Sequence, residues 1–215
     1  MGEYESPLPK IALEVINRLR KGGWLKGIRL SNSHRPDSGI ELMGASAQRL
    51  EDYLYSDLLY LHGTAPAKDS WHQINGLLRP IVNATIIELG KYLPYLPIFD
   101  KNILYRLIGI KIGKNSTIAP RVQFDYFHPE LIEIGDNCLI GDSVKIWTHD
   151  YGTDYFMMGR VKIGDSVRIG SESVLGPSII GNNVKINFGA FVYGNVPDNA
   201  TAYGRERSRY RVDRS

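Results

Sequence analysis

The chain has 215 residues, 43% hydrophobic and 23% charged, with a net charge of +3. That composition suits a water-soluble chain of one large or two small domains, and the charge is too small to argue for nucleic acid as a partner. The single cysteine, Cys138, excludes an intrachain disulfide and points to a reducing, cytoplasmic setting. Met1-Gly2-Glu3-Tyr4 is unlike a secretory leader, and no run of about 18 uncharged apolar residues suggests a spanning helix.

In chain order, Pro7 to Arg20 reads as a helix with Ile11, Val15, Ile16 and Leu19 on one stripe and Gly22 as its stop. Residues 31–45 read as loop. Ser46 is placed to cap a second helix carrying Leu50, Tyr53, Leu54, Leu58 and Leu61, ended by Gly63. Ile74 to Leu89 is the most apolar stretch, with a stripe of Ile74, Leu77, Leu78, Ile81, Val82 and Ile86 and with Pro80 opening or kinking the helix. The favoured expectation is that these helices pack together and cover an open end of the C-terminal half. A second expectation lays residues 74–99 on a membrane surface, although cationic charge there is sparse.

From Ile112 onward a six-residue period takes over. Twelve segments begin with an apolar residue: Ile112, Ile118, Phe124, Ile134, Ile140, Ile146, Ile163, Ile169, Leu175, Ile180, Ile186 and Val192. Seven of the twelve have Gly second, as in IGKNST, IGDNCL and IGDSVK, where ordinary usage of roughly 7% predicts about one. The fifth position is small or β-branched. A helix of 3.6 residues per turn would smear this period around every face, whereas a short strand and a corner every six residues can hold it. The first and fifth residues then point inward, and Gly, Asn and Asp serve the corners, where positive φ is expected. Three strands close one triangular coil, and stacked coils share an aliphatic core.

Phased by threes, the segments make four coils, and every departure from six comes after a third strand. There is a short insertion around residues 127–133, a long one around 152–161 and a deletion after Leu175. Irregularity therefore collects along one edge of the prism, where loops and chemistry are free to sit.

The segments LIEIGDNCLIGDSVKIWTHD, VKIGDSVRIGSESVLGPSIIG and GNVPDNATAYG resemble those of the hexapeptide-repeat acyltransferases, nearest to the galactoside, maltose and xenobiotic O-acetyltransferases. The resemblance spans residues 110–212. It implies a left-handed parallel β-helix of about four coils, the left hand coming from the resemblance alone; with the helices read from the stripes above, the expected fold class is mainly β, with an α-helical N-terminal region. The corresponding boundaries are 1–101 for the helical region, 102–200 for the β-helix and 201–215 for a basic tail. It also implies an acetyl-CoA-dependent acetyltransferase, working as a homotrimer on a sugar or similar polar acceptor, with no metal.

His149 stands fourth in Ile146-Trp147-Thr148-His149, so it is expected to face outward at a corner of the irregular edge. In the resembled family a histidine in such a Thr-His segment is the general base, and imidazole suits proton transfer near neutrality. Asp125 lies on the same edge one coil earlier, placed to orient His149, to meet the acceptor, or simply to bond its own turn. Tyr126 is expected to shape the acceptor pocket. His128, before Pro129, reads as a plain loop histidine. Asp154 and Tyr155 sit in the long loop as substrate contacts or solvated residues. The resemblance further implies a coenzyme A groove along the third and fourth coils, touching Ser171, Gly189, Ala190 and Tyr193, with Arg207 and Arg209 of the tail meeting phosphates. Arg168 stands where the family often has Trp.

Two other readings are open. One is a non-catalytic trimeric solenoid that binds a partner on its faces. The other is a zinc carbonic anhydrase of the same fold, which needs three histidine ligands where the repeat half offers His128 and His149.

Overall fold

The computed structural model describes residues 11, 14, 15, 17, 18, 21, 25–31, 40–42, 58–63, 72, 75–93, 100–151, 155–203 and 210–212. From Lys111 onward two- and three-residue strands wind into a three-sided prism of parallel sheets. Ile112, Ile134, Ile163, Ile180 and Val196 stack on one side. Ile118, Ile140, Ile169, Ile186 and Ala202 stack on the second. Phe124, Ile146, Leu175 and Val192 stack on the third. These are the sextet starters in their expected columns, and Val196 and Ala202 begin a fifth coil that the segment count missed. Together with Val122, Val144, Val167 and Val184 they form one continuous buried core. Each fully buried Ile or Val contributes roughly 1.5–3 kcal/mol.

The corners work differently from expectation. Positive φ falls at the fourth residue of the sextet, at Asn115, Arg121, Asn137, Ser143, Ser166, Glu172, Asn183 and Asn199, with Gly189 in the same place. The second-position glycines serve coil stacking instead. A Cβ on Gly141 would lie 2.6 Å from the Ser171 nitrogen and 2.7 Å from the Ile169 carbonyl oxygen of the next coil. The adjacent third position carries a polar ladder: the Lys114, Asp136, Asp165 and Asn182 backbone N–H groups donate to side-chain oxygens of Asp136, Asp165, Asn182 and Asp198.

Helix α1 (Leu78–Tyr92) and helix α2 (Asn102–Leu107) close the first-coil end. Tyr105 is fully buried against Phe124, ring centroids 4.8 Å apart. Asn102 Nδ2 donates to the Ser116 carbonyl at 2.8 Å, and Lys101 Nζ donates to that of Ala119 at 3.1 Å. These bonds satisfy carbonyls at the open end of the sheet.

The expected stripe on 74–89 is corrected twice. Gly76, at φ +72, interrupts the stretch, so the helix begins at Leu78 with Pro80 in its first turn. The face turned inward is Pro80, Asn83, Ile87 and Gly90, while Leu77, Leu78, Ile81 and Val82 are all more than half exposed. Fit decides this rather than apolarity. A Cβ on Gly90 would sit 2.7 Å from the Tyr105 ring, and Asn83 Nδ2 donates to the Tyr126 carbonyl at 2.8 Å.

The expected second helix and the 31–45 loop are also corrected. Strands run over Leu25–Ser31, Ile40–Leu42 and Leu58–Gly63. They join an antiparallel sheet with the long seam insertion, in the order 149–151, 155–159, 58–63, 25–31, 40–42. Nonlocal pairing with the insertion overrides the local helical pattern at Leu58 and Leu61. The remaining residues of that expected helix, Ser46 to Leu54, lie outside the described residues. Ile11, Glu14, Val15, Asn17, Arg18 and Lys21 are helical, as the first stripe predicts.

Candidate active site

The seam after the third strand of each coil builds the site. The first coil leaves it through Asp125 to Leu131, and a short 3-10 turn over Pro129–Leu131 then leads into the second coil. The second coil leaves through the hairpin His149–Tyr151 and Tyr155–Gly159. The third and fourth coils round the same corner as continuous strands, Val174–Ile180 and Phe191–Val196.

Asp125 is wholly buried and accepts five hydrogen bonds. The backbone N–H groups of Phe127 and His128 donate to Oδ1 at 2.8 and 3.3 Å. The Thr148 N–H and hydroxyl donate to Oδ2 at 2.8 and 2.7 Å. His149 Nδ1 lies 2.5 Å from the same oxygen. Burial by itself would push this carboxyl up. The His149 charge and hydrogen bond, the Thr148 bonds and the His128 charge outweigh it and hold the group well below the usual carboxylate range. An ionised carboxylate only accepts, so Nδ1 carries the proton and Nε2 carries the imidazole lone pair. Asp125 thus bonds both the backbone of its own turn and the ring of His149.

His149 is only 11% exposed, because the 125–128 loop covers it. It faces away from the prism core, as its phase predicts, but it opens a strand instead of turning a corner. The Phe127 ring lies on it at 4.8 Å between centroids, and Tyr126 lies against Phe127 at 4.6 Å. Tyr126 is half-buried, and burial followed by the Asp125 charge pushes its phenol up.

His128 is corrected from a plain loop residue. It is buried, with Nε2 3.0 Å from Asn75 Oδ1 and Nδ1 3.5 Å from Glu130 Oε1. Glu130 pairs with Arg79 of α1 at 2.9 Å. Asn75, Arg79 and Asn83 thus strap α1 and its approach onto the loop that holds Asp125. Residue-by-residue reading passed over this strap and over Thr148; an asparagine inside so apolar a helix was the available signal.

Of the residues assigned to a coenzyme groove, Ser171 and Gly189 meet across one corner, where the Gly189 N–H donates to the Ser171 carbonyl at 2.9 Å. A Cβ on Gly189 would find no atom within 4 Å, so the surface there is open. Tyr193 is half-buried over Gly176, with its hydroxyl 2.6 Å from Met157 Sδ of the hairpin. The Ala190 side chain belongs to the prism core, its N–H donates to the Asn187 carbonyl and its carbonyl accepts from Val174. Arg168 is exposed on the second side. Arg207, Arg209 and Asp154 lie outside the described residues. Among the described residues, no group of three or more His, Cys, Asp or Glu could hold a metal ion, and no helix is long and apolar enough to cross a membrane.

A winding of sextets with an interrupted seam that presents a carboxylate-oriented imidazole defines a class. The hexapeptide family described as "Hexapeptide repeat of succinyl-transferase" matches residues 160–193. The Bacillus subtilis protein "Putative acetyltransferase YvoF" is 33% identical over 147 residues, which is 66% of this chain and 84% of that protein. A Staphylococcus aureus protein of like name is 43% identical over 123 residues, 57% of this chain and 76% of its own. The chain belongs to the hexapeptide-repeat acetyltransferases. Among solved structures, a galactoside acetyltransferase in complex with coenzyme A matches with TM-score 0.50 at 22% identity, over 63% of this chain and 80% of that one. A maltose O-acetyltransferase from Clostridium difficile 630 matches with TM-score 0.50 at 22% identity, over 62% and 85%. At that identity the likeness concerns the fold.

Proposed function

We propose that this acetyltransferase uses acetyl-CoA to acetylate a hydroxyl, or an amine, of a sugar or similar polar acceptor, with His149 as general base. The observation that carries the reading is the 2.5 Å contact between His149 Nδ1 and a buried, ionised Asp125. His149 Nε2 takes the acceptor proton as the acceptor oxygen attacks the thioester carbonyl. The tetrahedral adduct collapses, the carbon–sulfur bond breaks, and the imidazolium returns its proton to the departing thiolate to give coenzyme A thiol. Asp125 stays a carboxylate throughout and stabilises the imidazolium. Holding acceptor and thioester side by side supplies the rest of the rate.

In this reading the coenzyme arm runs along the third and fourth coils past Ser171, Gly189 and Tyr193, and Arg207 and Arg209 meet its phosphates. Ala190 acts there only as filler beneath the groove. In this reading the site is completed between prisms of a cytoplasmic homotrimer, closed threefold symmetry being a natural way to enclose a site carried on one edge of each prism. Contact of residues 74–99 with a membrane surface is supported by the outward apolar face of α1, which Leu77, Leu78, Ile81, Val82, Leu89 and Tyr92 supply.

The test is acetyl-CoA turnover over sugars, nucleotide sugars and amino sugars, wild type against His149→Ala. Loss of about 100-fold or more in kcat is expected for the variant. Equal turnover by the two proteins removes His149 from the mechanism, and coenzyme release with none of these acceptors removes the acceptor class.

A further inference from the structure

The stacked coils hold one another through the main chain. The carbonyls of Ile134, Cys138 and Ile146 in the second coil accept the N–H groups of Gly113, Thr117 and Asp125 in the first. The first coil has no coil before it, so its own outward carbonyls need other partners. Helix α2 and the residue before it supply them along the regular sides. Arg106 Nη2 donates to the Ile112 carbonyl at 3.0 Å, Asn102 Nδ2 to that of Ser116 at 2.8 Å and Lys101 Nζ to that of Ala119 at 3.1 Å. At the seam the partner comes from α1. Asn83, only 3% exposed, donates from Nδ2 to the Tyr126 carbonyl at 2.8 Å.

The Tyr126 carbonyl and the Phe127 N–H belong to one peptide unit, which is planar and stiff. Asn83 holds its carbonyl end, and Asp125 Oδ1 accepts from its N–H end at 2.8 Å. The other oxygen of that carboxylate lies 2.5 Å from His149 Nδ1, and the Phe127 ring lies on the imidazole. Satisfying a carbonyl accounts for Asn102 completely: the N–H of the peptide it holds, that of Thr117, donates to the Cys138 carbonyl of the next coil and serves stacking. The peptide held by Asn83 turns its N–H to Asp125 instead. Two more contacts, His128 Nε2 to Asn75 Oδ1 at 3.0 Å and Arg79 to Glu130 at 2.9 Å, fasten α1 and its approach to the same loop. The helix that carries Asn83 is therefore a fixed reference for that peptide.

We propose that Asn83 is a positioning residue for the reaction: through the Tyr126–Phe127 peptide it sets the Asp125 carboxylate, and with it the orientation of the His149 ring. The inference rests on the reading of His149 as general base. Asn83 acts through Asp125 and His149 and not on the substrates, so its contribution is alignment.

The full chain is compared as wild type, Asn83→Ala, Asn83→Ser and Asn102→Ala, with urea denaturation to rank stabilities. The serine hydroxyl is too short to reach the carbonyl, and this variant keeps the test open should the alanine variant fail to fold. Asn102→Ala removes a bond of the same kind and is the structural control. Turnover is measured with acetyl-CoA and galactose, maltose or glucosamine. The Asn83 variants lose about 10- to 100-fold in kcat and keep KM for acetyl-CoA within about twofold, whereas Asn102→Ala loses stability and keeps kcat within about twofold. Proton NMR of the substrate-free protein reads the ring itself. The low-field His149 Nδ1–H signal, assigned by its absence from His149→Ala, is present in wild type and Asn102→Ala and is broadened or displaced in the Asn83 variants. An unchanged signal in the folded Asn83 variants, a kcat within about twofold of wild type, or an equal loss of kcat in Asn102→Ala overturns the proposal. Turnover that survives His149→Ala, or that none of these acceptors supports, removes instead the reading beneath it, and the signal then decides by itself whether Asn83 sets the ring.

Discussion

Asp125→Asn isolates what the buried carboxylate does for His149. The substitution keeps the shape and one acceptor oxygen but turns the other oxygen into a donor. The retained oxygen keeps the Phe127 and His128 N–H groups, which pin one side of the side chain. The new NH2 then faces the Thr148 N–H, the Thr148 hydroxyl and His149 Nδ1, all of them donors to Asp125 in the wild type. The hydroxyl can turn to accept. The imidazole can accept only by moving its proton to Nε2, which removes the lone pair from the nitrogen that must take the acceptor proton. The Thr148 N–H is left without an acceptor in the interior, at about 1–3 kcal/mol of stability. The wrong tautomer lowers kcat by roughly 100- to 10,000-fold, or about 2.7–5.5 kcal/mol of barrier, with KM for acetyl-CoA little changed. Because Asp125 acts through His149, the loss in Asp125→Asn cannot exceed that in His149→Ala, and the double variant loses no more than His149→Ala alone. The assay is coenzyme A release at saturating substrates, with urea denaturation to monitor folding. A folded Asp125→Asn retaining half of the wild-type kcat, in a protein that His149→Ala inactivates, refutes the tautomer argument.

The same geometry sets three further outcomes. The Asp125 carboxyl is depressed on folding, so its contribution is fully present above the unfolded value near about 4 and is lost as pH falls toward the folded one. Urea midpoints measured from pH 7 down to 2.5 fall below about pH 4 in the wild type and less steeply in Asp125→Asn; parallel curves refute the assignment. Gly141→Ala drives a methyl into the backbone of the next coil and costs about 1–3 kcal/mol, whereas Gly189→Ala meets open space and pays only for its positive φ, about 1 kcal/mol. Reversal of that order in denaturation would show that stacking does not set the repeat glycines. Leu78→Glu with Val82→Glu abolishes sedimentation with phosphatidylglycerol vesicles while acetylation of a small soluble acceptor persists; a wild type that ignores vesicles, or that self-associates through this face, removes the membrane reading.

The prism was legible because its causes are local and repeated. Twelve apolar starters at fixed spacing have one geometric solution, and they stack in their expected columns. Its seam was legible for the same reason, since a break in period must fall somewhere and here always came after the third side. What the repeat could not tell was the division of labour inside the sextet. Second-position glycine is equally consistent with a corner and with close stacking. Only the distances to the neighbouring coil separate the two, and the positive φ lies two residues further on. The fifth coil escaped because Val196-Pro197-Asp198-Asn199-Ala200 has no glycine to announce it. His149 was found by its phase. The covering of its ring by Phe127 and the five-bond cage of Asp125 depend on the fold of the 125–131 loop, which has no period at all.

The N-terminal region shows where such reading stops. Leu58 and Leu61 fit a helical stripe, yet residues 58–63 are a strand because the hairpin at 155–159 offers them an edge. Leu77, Leu78, Ile81 and Val82 form the stripe expected to be buried, yet the helix docks through Pro80, Asn83, Ile87 and Gly90. In both cases the partner surface is a product of the seam. An insertion in the second coil creates the edge, and the loop of the first coil presents the Tyr126 carbonyl that captures Asn83. The segments preceding the repeat are thus shaped by irregularities within it, and they gather around His149 because that is where the irregularities are. Among the described residues, the strands of residues 25–63 and helix α1 are both built onto that seam, the strands through the hairpin edge and the helix through the loop after the first coil.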